Sequence, residues 1–320
     1  MPNAAGLNVQ ETAVQTRRIT RLSVSTALVL SLAKLAAWFF SGSVAMLASL
    51  ADSGLDVLAA LAAYFAVRYA VEPPDREHRF GHGKAEAFAS LVQAGLVFAS
   101  AALIGREAIA RIAHPRPLAY EGWDLAVMAL SIMLTSGLIW AQTQVLRRAS
   151  SVAVTGDRLH YAADLAANLI AFAGIGVSAL LASPLPDAFG GLAVAALLVW
   201  GAISVFRAST VELMDRELDD EARQRIVDLV MTDPRVRDVH QLRTRASGPY
   251  IHVQMHAELD PAMTLVEAHK VMVAAERRVL EAFPAADIII HPDPRGQAEP
   301  HGGAFAEDHE PEPASLAKRA

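Results

Sequence analysis

Two pairs of ionisable residues interrupt otherwise apolar stretches of this chain: Asp52 with Asp56, and His160 with Asp164. A charge at the centre of a membrane helix costs at least about 2.5–3.5 kcal/mol on insertion scales, so a pair of them marks a functional site. Each pair is spaced i, i+4, which sets both side chains on one helix face about one turn apart. Together they offer three carboxylates and one imidazole, a ligand set suited to a tetrahedral, borderline divalent cation such as Zn²⁺. The competing reading is that these are helix-end charges facing headgroups or pairing with arginines such as Arg158. Asp52 and Asp56 lie too deep in their apolar run to fit it well.

Two further clusters have ligand chemistry. Asp75, His78 and His82 lie in a polar loop where Gly81 and Gly83 allow tight backbone turns. Spacing alone favours a solvated loop there, with closure around a metal as the alternative. In the C-terminal part, His240 and His256 fall on adjacent expected strands, and His291-Pro292-Asp293 ends a third, so these residues can converge at a sheet edge. His269 lies on an intervening helix, and His252 shares a strand face with His256 by the period of two. Singly, each is as well explained as a surface histidine. His114, His301 and His309 stand apart from any such group.

The elements that must position these residues are membrane helices. The 320 residues are 53% hydrophobic and 19% charged, with a mean hydropathy of +0.30, which does not suit an ordinary soluble chain. Runs of about 20 apolar residues span roughly 30 Å of hydrocarbon, and six are expected here: Leu22 to Leu50, which is followed closely by Ser43 to Tyr69 across a turn at Ser41-Gly42-Ser43, then Ala87 to Gly105, Leu125 to Leu146, Leu165 to Ser183 and Ala188 to Phe206. The first lacks a basic leader and is too long for a signal peptide. Lys34 within it is expected to snorkel or pair in the bundle. Arg17, Arg18, Arg21, Arg76, Arg79, Lys84, Arg147, Arg148 and Arg158 fall on one side, putting both termini in the cytoplasm, although Arg106, Arg111 and Arg116 run against a clean rule. From Asp215 the pattern becomes that of a soluble αββαβ domain: helix Asp219 to Met231, strands Val236 to Arg245 and Tyr250 to Leu259, helix Leu265 to Phe283 and a short buried strand Asp287 to His291. The division is a tail at 1–16, a six-helix transmembrane domain at 17–210, a cytoplasmic domain at 211–293 and a disordered, Pro/Gly/Glu-rich tail at 294–320.

Composition also excludes classes. With no cysteine there is no disulfide, thiolate metal site or cysteine nucleophile. A net charge of -6 without a long basic tract gives nucleic acid no electrostatic footprint. No phosphate-binding loop for nucleotide and no His-Glu-x-x-His are present. Two readings remain: secondary transport of a divalent metal, and a membrane-tethered metal sensor or buffer. An anchor has no use for paired acids inside its helices, which favours transport.

Taken together, the residues resemble the cation diffusion facilitator family, in its bacterial zinc and ferrous-iron efflux branch. The carriers are Gly42-Ser43-Val44 before Asp52-xxx-Asp56, the stretch Phe80-Gly81-His82-Gly83-Lys84-Ala85-Glu86, His160-xxx-Asp164, Leu242-Arg243-Thr244-Arg245 and Ile290-His291-Pro292-Asp293-Pro294. The similarity runs from about Ile19 to Asp293. It implies a homodimeric, proton-coupled antiporter in the bacterial inner membrane, moving Zn²⁺, Fe²⁺, Cd²⁺ or Co²⁺ against H⁺, with a ferredoxin-like, metallochaperone-like cytoplasmic domain. It further implies a transport site at Asp52, Asp56, His160 and Asp164, a loop site at Asp75, His78 and His82, and a binuclear site at His240, His256, His269, His291 and Asp293. A charge interlock of Lys84 with Asp215 would tie the protomers together. Pro292 departs from the family, where a glutamine can stand, and leaves only a backbone carbonyl as donor there.

Overall fold

The computed structural model describes residues 9–41, 44–114, 122–149, 151–181 and 185–297. Gly42, Ser43, Arg116, Ser183, His301 and His309 lie outside the described residues, as does the expected disordered tail from residue 298 onward. The chain divides into a helical unit, Ala13–Val211, and a second compact unit that includes Glu212 onward.

The helical unit is built from α1 (Val9–Ser41), α2 (Val44–Ala70), α3 (Ala85–Ala113), α4 (Gly122–Leu146), α5 (Val152–Leu181) and α6 (Leu185–Leu213). Even α4, the shortest at 25 residues, extends about 38 Å at 1.5 Å per residue, more than the hydrocarbon core requires. All except α5 contain a segment long and apolar enough to cross a membrane among the described residues. α5 carries Asp157, Arg158, His160 and Asp164 in its first half, which is where the chemistry is. α1 starts at Val9, inside the stretch assigned from sequence to an N-terminal tail.

Packing of this unit is inverted relative to a soluble bundle. The inward face of α3 is small and polar, including Glu86, Ala87, Ser90, Gln93, Ala94 and Ala101, while Phe88, Phe98 and Leu103 on the same helix point outward and are more than half exposed. Phe65, Met133, Trp140 and Trp200 are likewise exposed. Lipid gives no hydrophobic reason to bury large side chains, so small residues let backbones approach while bulky ones face the tails. The unit is a transmembrane domain. Lys34 pairs within the bundle, its Nζ donating to Ser53 Oγ at 2.5 Å and Ser49 O at 3.3 Å.

The second unit is α+β: α7 (Asp220–Val230), β1 (Asp238–Ser247), β2 (Tyr250–Leu259), α8 (Leu265–Ala282) and β3 (Ala286–Pro294). Asp219 caps α7 by accepting from Ala222 N, and a Thr264/Glu267 capping box starts α8. The sheet order is β1-β2-β3, with β1 antiparallel and β3 parallel to central β2. The β1–β2 turn at Gly248 and Pro249 is tight, Gly248 taking φ 55°, a left-handed conformation that glycine adopts without steric cost. Val253, Met255 and Ala257 of β2 join Ile226, Val230, Val271, Ala275 and Val279 in the core. Alternate residues of β2 and β3 therefore face away from the helices. The last strand differs from the expectation of a short, buried one. It runs nine residues at the sheet edge with alternating exposure, and Ile289 is 59% exposed.

Candidate metal centres

In the helical unit, α2 and α5 bring Asp56, His160 and Asp164 together. His160 Nε2 lies 3.1 Å from Asp56 Oδ1 and 3.5 Å from Asp164 Oδ2, and one ligand atom from each residue lies within 4.8 Å of the others. The His160 side chain is 8% exposed, those of Asp56 and Asp164 20% and 29%. A 3.1 Å nitrogen-to-carboxylate contact holds one hydrogen. That hydrogen occupies the direction from which Nε2 would bind a cation. Asp52 does not join the trio: one turn earlier on α2, it is exposed and its Oδ1 accepts from Ser100 Oγ of α3 at 3.4 Å. It borders a cavity of about 760 Å³ lined also by Leu55, Leu103, Glu107, Arg111 and Asn168.

The α2–α3 loop is exposed over residues 72–80, in keeping with the solvated loop favoured by spacing alone, and it is also turned back on itself. Asp75 Oδ1 accepts from the backbone N–H of Glu77 at 2.8 Å and of His78 at 2.6 Å, which with the other His78 contacts holds its carboxyl below the usual range, the His78 bond contributing most. His78 Nδ1 stands 3.4 Å from Asp75 Oδ1 and His82 Nε2 3.3 Å from Oδ2. His82 is buried, with its Nδ1 3.3 Å from Glu72 O and its ring 4.4 Å from that of Tyr69. Gly81 takes φ 81°, the turn that returns His82 toward Asp75. These three residues also offer ligand atoms within 4.8 Å of one another.

In the α+β unit, sheet register does the assembly. His240 pairs with His256 and His256 with His291 across the three strands. Asp293 Oδ2 lies 3.2 Å from His240 Nε2 and 2.8 Å from His256 Nδ1, and its Oδ1 lies 3.3 Å from His291 Nε2. His240, His256 and Asp293 form the compact trio, and His291, with a side chain 63% exposed, reaches the same carboxylate from outside. His269 is not brought to them. It is exposed on α8, beside Lys270, Val273 and Arg277, and α8 packs on the opposite face of the sheet. His252 turns to Asp287 instead, at 3.3 Å, and burial above all lowers its pKa. Lys84 is the N-cap residue of α3, and Asp215 accepts from Arg245 at 3.1 Å.

Residues 20–214 match the cation efflux transmembrane domain, and residues 218–295 match the cytoplasmic domain of cation efflux proteins. The chain belongs to the cation efflux family. It is 39% identical over 288 residues to the cation-efflux pump FieF of Shewanella oneidensis, covering 88% of this chain and 94% of that protein. The FieF pumps of Klebsiella pneumoniae subsp. pneumoniae, at 36% over 281 residues with 87% and 93% covered, and of Citrobacter koseri, at 35% over 292 residues with 90% and 97% covered, are similar to it in the same way. It is an integral membrane protein and a transporter by family.

To three residues of this cation efflux chain the sequence reading assigned no role. Asp157, fully buried one turn before His160, accepts from Gln142 Nε2 at 2.8 Å, and Gln142 also reaches Ser23 Oγ at 3.2 Å. Glu86, the last residue of the loop motif, is buried and accepts from Ser151 Oγ at 2.5 Å and Ala153 N at 3.4 Å, at the N-terminus of α5. Gln93 is buried on α3 and donates to Ala59 O of α2 at 3.3 Å. For Asp157 a signal existed, since it precedes His160 by three residues in an apolar helix. For Glu86 and Gln93 only the tertiary contacts reveal a role.

Proposed function

We propose that this protein is a proton-coupled antiporter that exports divalent metal cations from the cytoplasm, Zn²⁺ foremost, with Fe²⁺, Cd²⁺ and Co²⁺ as further substrates. The observation that carries this reading is the buried imidazole of His160 held between Asp56 and Asp164 inside the membrane unit. Binding a cation there requires neutral imidazole and ionised carboxylates, so the ion displaces the hydrogen shared by His160 and Asp56, and an arriving proton displaces the ion. Metal and proton compete for one position, which makes exchange a property of the ligands. Asp52, one turn away on α2, supplies the fourth ligand when an ion draws it in. Rocking of α2 and α5 about that position would expose it to alternate sides. The FieF relatives are described as cation-efflux pumps, which supports the direction of transport.

On this reading the chain acts as a homodimer in the bacterial inner membrane with both termini cytoplasmic. The transmembrane domain spans residues 17–210 and the cytoplasmic domain 211–293. Asp75, His78 and His82 form a cytoplasmic loop site, while His240, His256, His291 and Asp293, with His269 from a further approach, form the cytoplasmic-domain site. Lys84 and Asp215 interlock near the membrane surface. The test is uptake of Zn²⁺, Fe²⁺, Cd²⁺ and Co²⁺ into everted vesicles under an imposed pH gradient. Zn²⁺ uptake should collapse when the gradient is dissipated; uptake indifferent to the gradient would refute antiport, and no uptake of any ion would refute transport.

A further inference from the structure

His160 has a second ring nitrogen, and its surroundings carry an inference that rests on the transport site proposed above. Nδ1 is buried without a hydrogen-bond partner, and so are Gln93 Oε1 and Ser90 Oγ on α3. An unsatisfied buried polar atom costs about 1–3 kcal/mol, so three of them in one region of a packed bundle call for a shared cause. His160 and Gln93 both line a cavity of about 10 Å³, bounded also by Val97, Gly156, Leu159 and Val205. That is roughly the space one water needs, provided two to four polar partners surround it. Gly156 keeps it open: a Cβ there would come 2.8 Å from Gln93 Oε1, 3.3 Å from Ser90 Oγ and 3.5 Å from Val205 Cγ1.

We propose that Gln93 is a positioning residue for His160, acting through one water held in this cavity. Nδ1 and Gln93 Oε1 do not bond each other directly, which favours a water between them. Nδ1 keeps its hydrogen whether Nε2 shares a proton with Asp56 or holds an ion in that proton's place, so in both states it needs an acceptor. A water accepts from Nδ1 and keeps one O–H on Gln93 Oε1. Gln93 is itself fixed by its bond to Ala59 O of α2, the helix that bears Asp56. The water therefore relays the α2–α3 contact to the ring of α5. Partners of this kind behind a ligating histidine are worth about 10- to 100-fold in metal affinity.

The test is Zn²⁺ transport by the full-length protein in proteoliposomes, with half-saturating concentration and maximal rate read separately. Gln93→Met should raise the half-saturating concentration 10- to 100-fold and leave the maximal rate within about twofold. Gly156→Ala fills the cavity with Gln93 still present and should repeat the loss of affinity; it decides the matter if Gln93→Met does not fold. Half-saturation unchanged in Gln93→Met or in Gly156→Ala would overturn the proposal. So would a fall in maximal rate alone. His160→Ala is the control: if it transports normally, the transport site itself is wrong and this proposal falls with it. If His160→Ala is inactive while Gln93→Met is normal, only the present inference is overturned.

Discussion

Replacing Asp56 with asparagine removes one negative charge from the membrane trio and preserves its shape. With Asp52 drawn in, a divalent ion held by neutral His160 has the three carboxylates of Asp52, Asp56 and Asp164 around it. The variant removes one of those charges from direct contact with the ion, in a site whose imidazole is almost wholly buried. Two unit charges 4 Å apart are worth about 4 kcal/mol at an effective dielectric of 20. A ligated ion is closer and doubly charged, but water and neighbouring groups recover part of the difference, so a net loss near that figure is expected. At 1.4 kcal/mol per factor of ten, it corresponds to Zn²⁺ binding weakened about 1000-fold. The assay is calorimetric titration of the purified full-length protein with Zn²⁺, in a His78→Ala, His256→Ala background that silences the other two clusters. The metal-free fold should survive, because an asparagine oxygen still accepts from His160 Nε2. A loss smaller than about tenfold would refute the placement of the ion, since no charge so near a divalent cation could be removed that cheaply.

Asp52→Ala should abolish Zn²⁺ uptake in proteoliposomes even though Asp52 stands off the trio; near-normal uptake would show that three protein ligands suffice. His160→Asp should lower the ratio of Zn²⁺ to Mn²⁺ initial rates, because an all-oxygen shell suits the harder ion, and an unchanged ratio at full activity would mean that His160 is not a ligand. His256→Ala with Asp293→Ala should remove any tightening of the cytoplasmic-domain dimer by Zn²⁺, measured by sedimentation with and without metal. His252 is held neutral by burial, with its pKa depressed, so below the ordinary imidazole value of about 6.5 the unfolded chain binds the extra proton. Stability of the α+β unit, followed by thermal melting in chelator, should therefore fall as pH drops below about 6.5, and His252→Gln should flatten that limb.

The parts of this molecule that obey a period were readable from sequence. Uncharged runs gave the long helices, and alternation in Tyr250 to Leu259 gave β2 with both ends correct. The row His240, His256 and His291 was foreseeable because strands place alternate residues on one face, and only the register remained to be found. Loop closure around Asp75 was not, since it depends on two backbone N–H groups and a left-handed glycine whose cooperation spacing does not express. Spacing also left open that Asp52 would turn to Ser100 of α3, one turn from the trio it is expected to join. His269 is grouped with the strand histidines by residue type as well as by resemblance, yet within one chain the sheet lies between them. Asp157, Glu86 and Gln93 illustrate the remaining gap: a polar residue in an apolar helix declares a cost, and only the fold tells what offsets it.

Glu86 closes the motif that begins at Phe80, and its carboxylate sits at the start of another helix. Anions are favoured at a helix N-terminus, and here the anion comes from α3 while the helix is α5. The start of the segment bearing His160 and Asp164 is thus anchored by a residue from the segment bearing His82. A change at Ser151 and a change at Glu86 are one event as far as this joint is concerned. Relatives that replace either residue should be found to have replaced both, and a chimera that exchanges the loop motif without residues 151–154 should misregister α5 and lose transport while every metal-ligating side chain is still present.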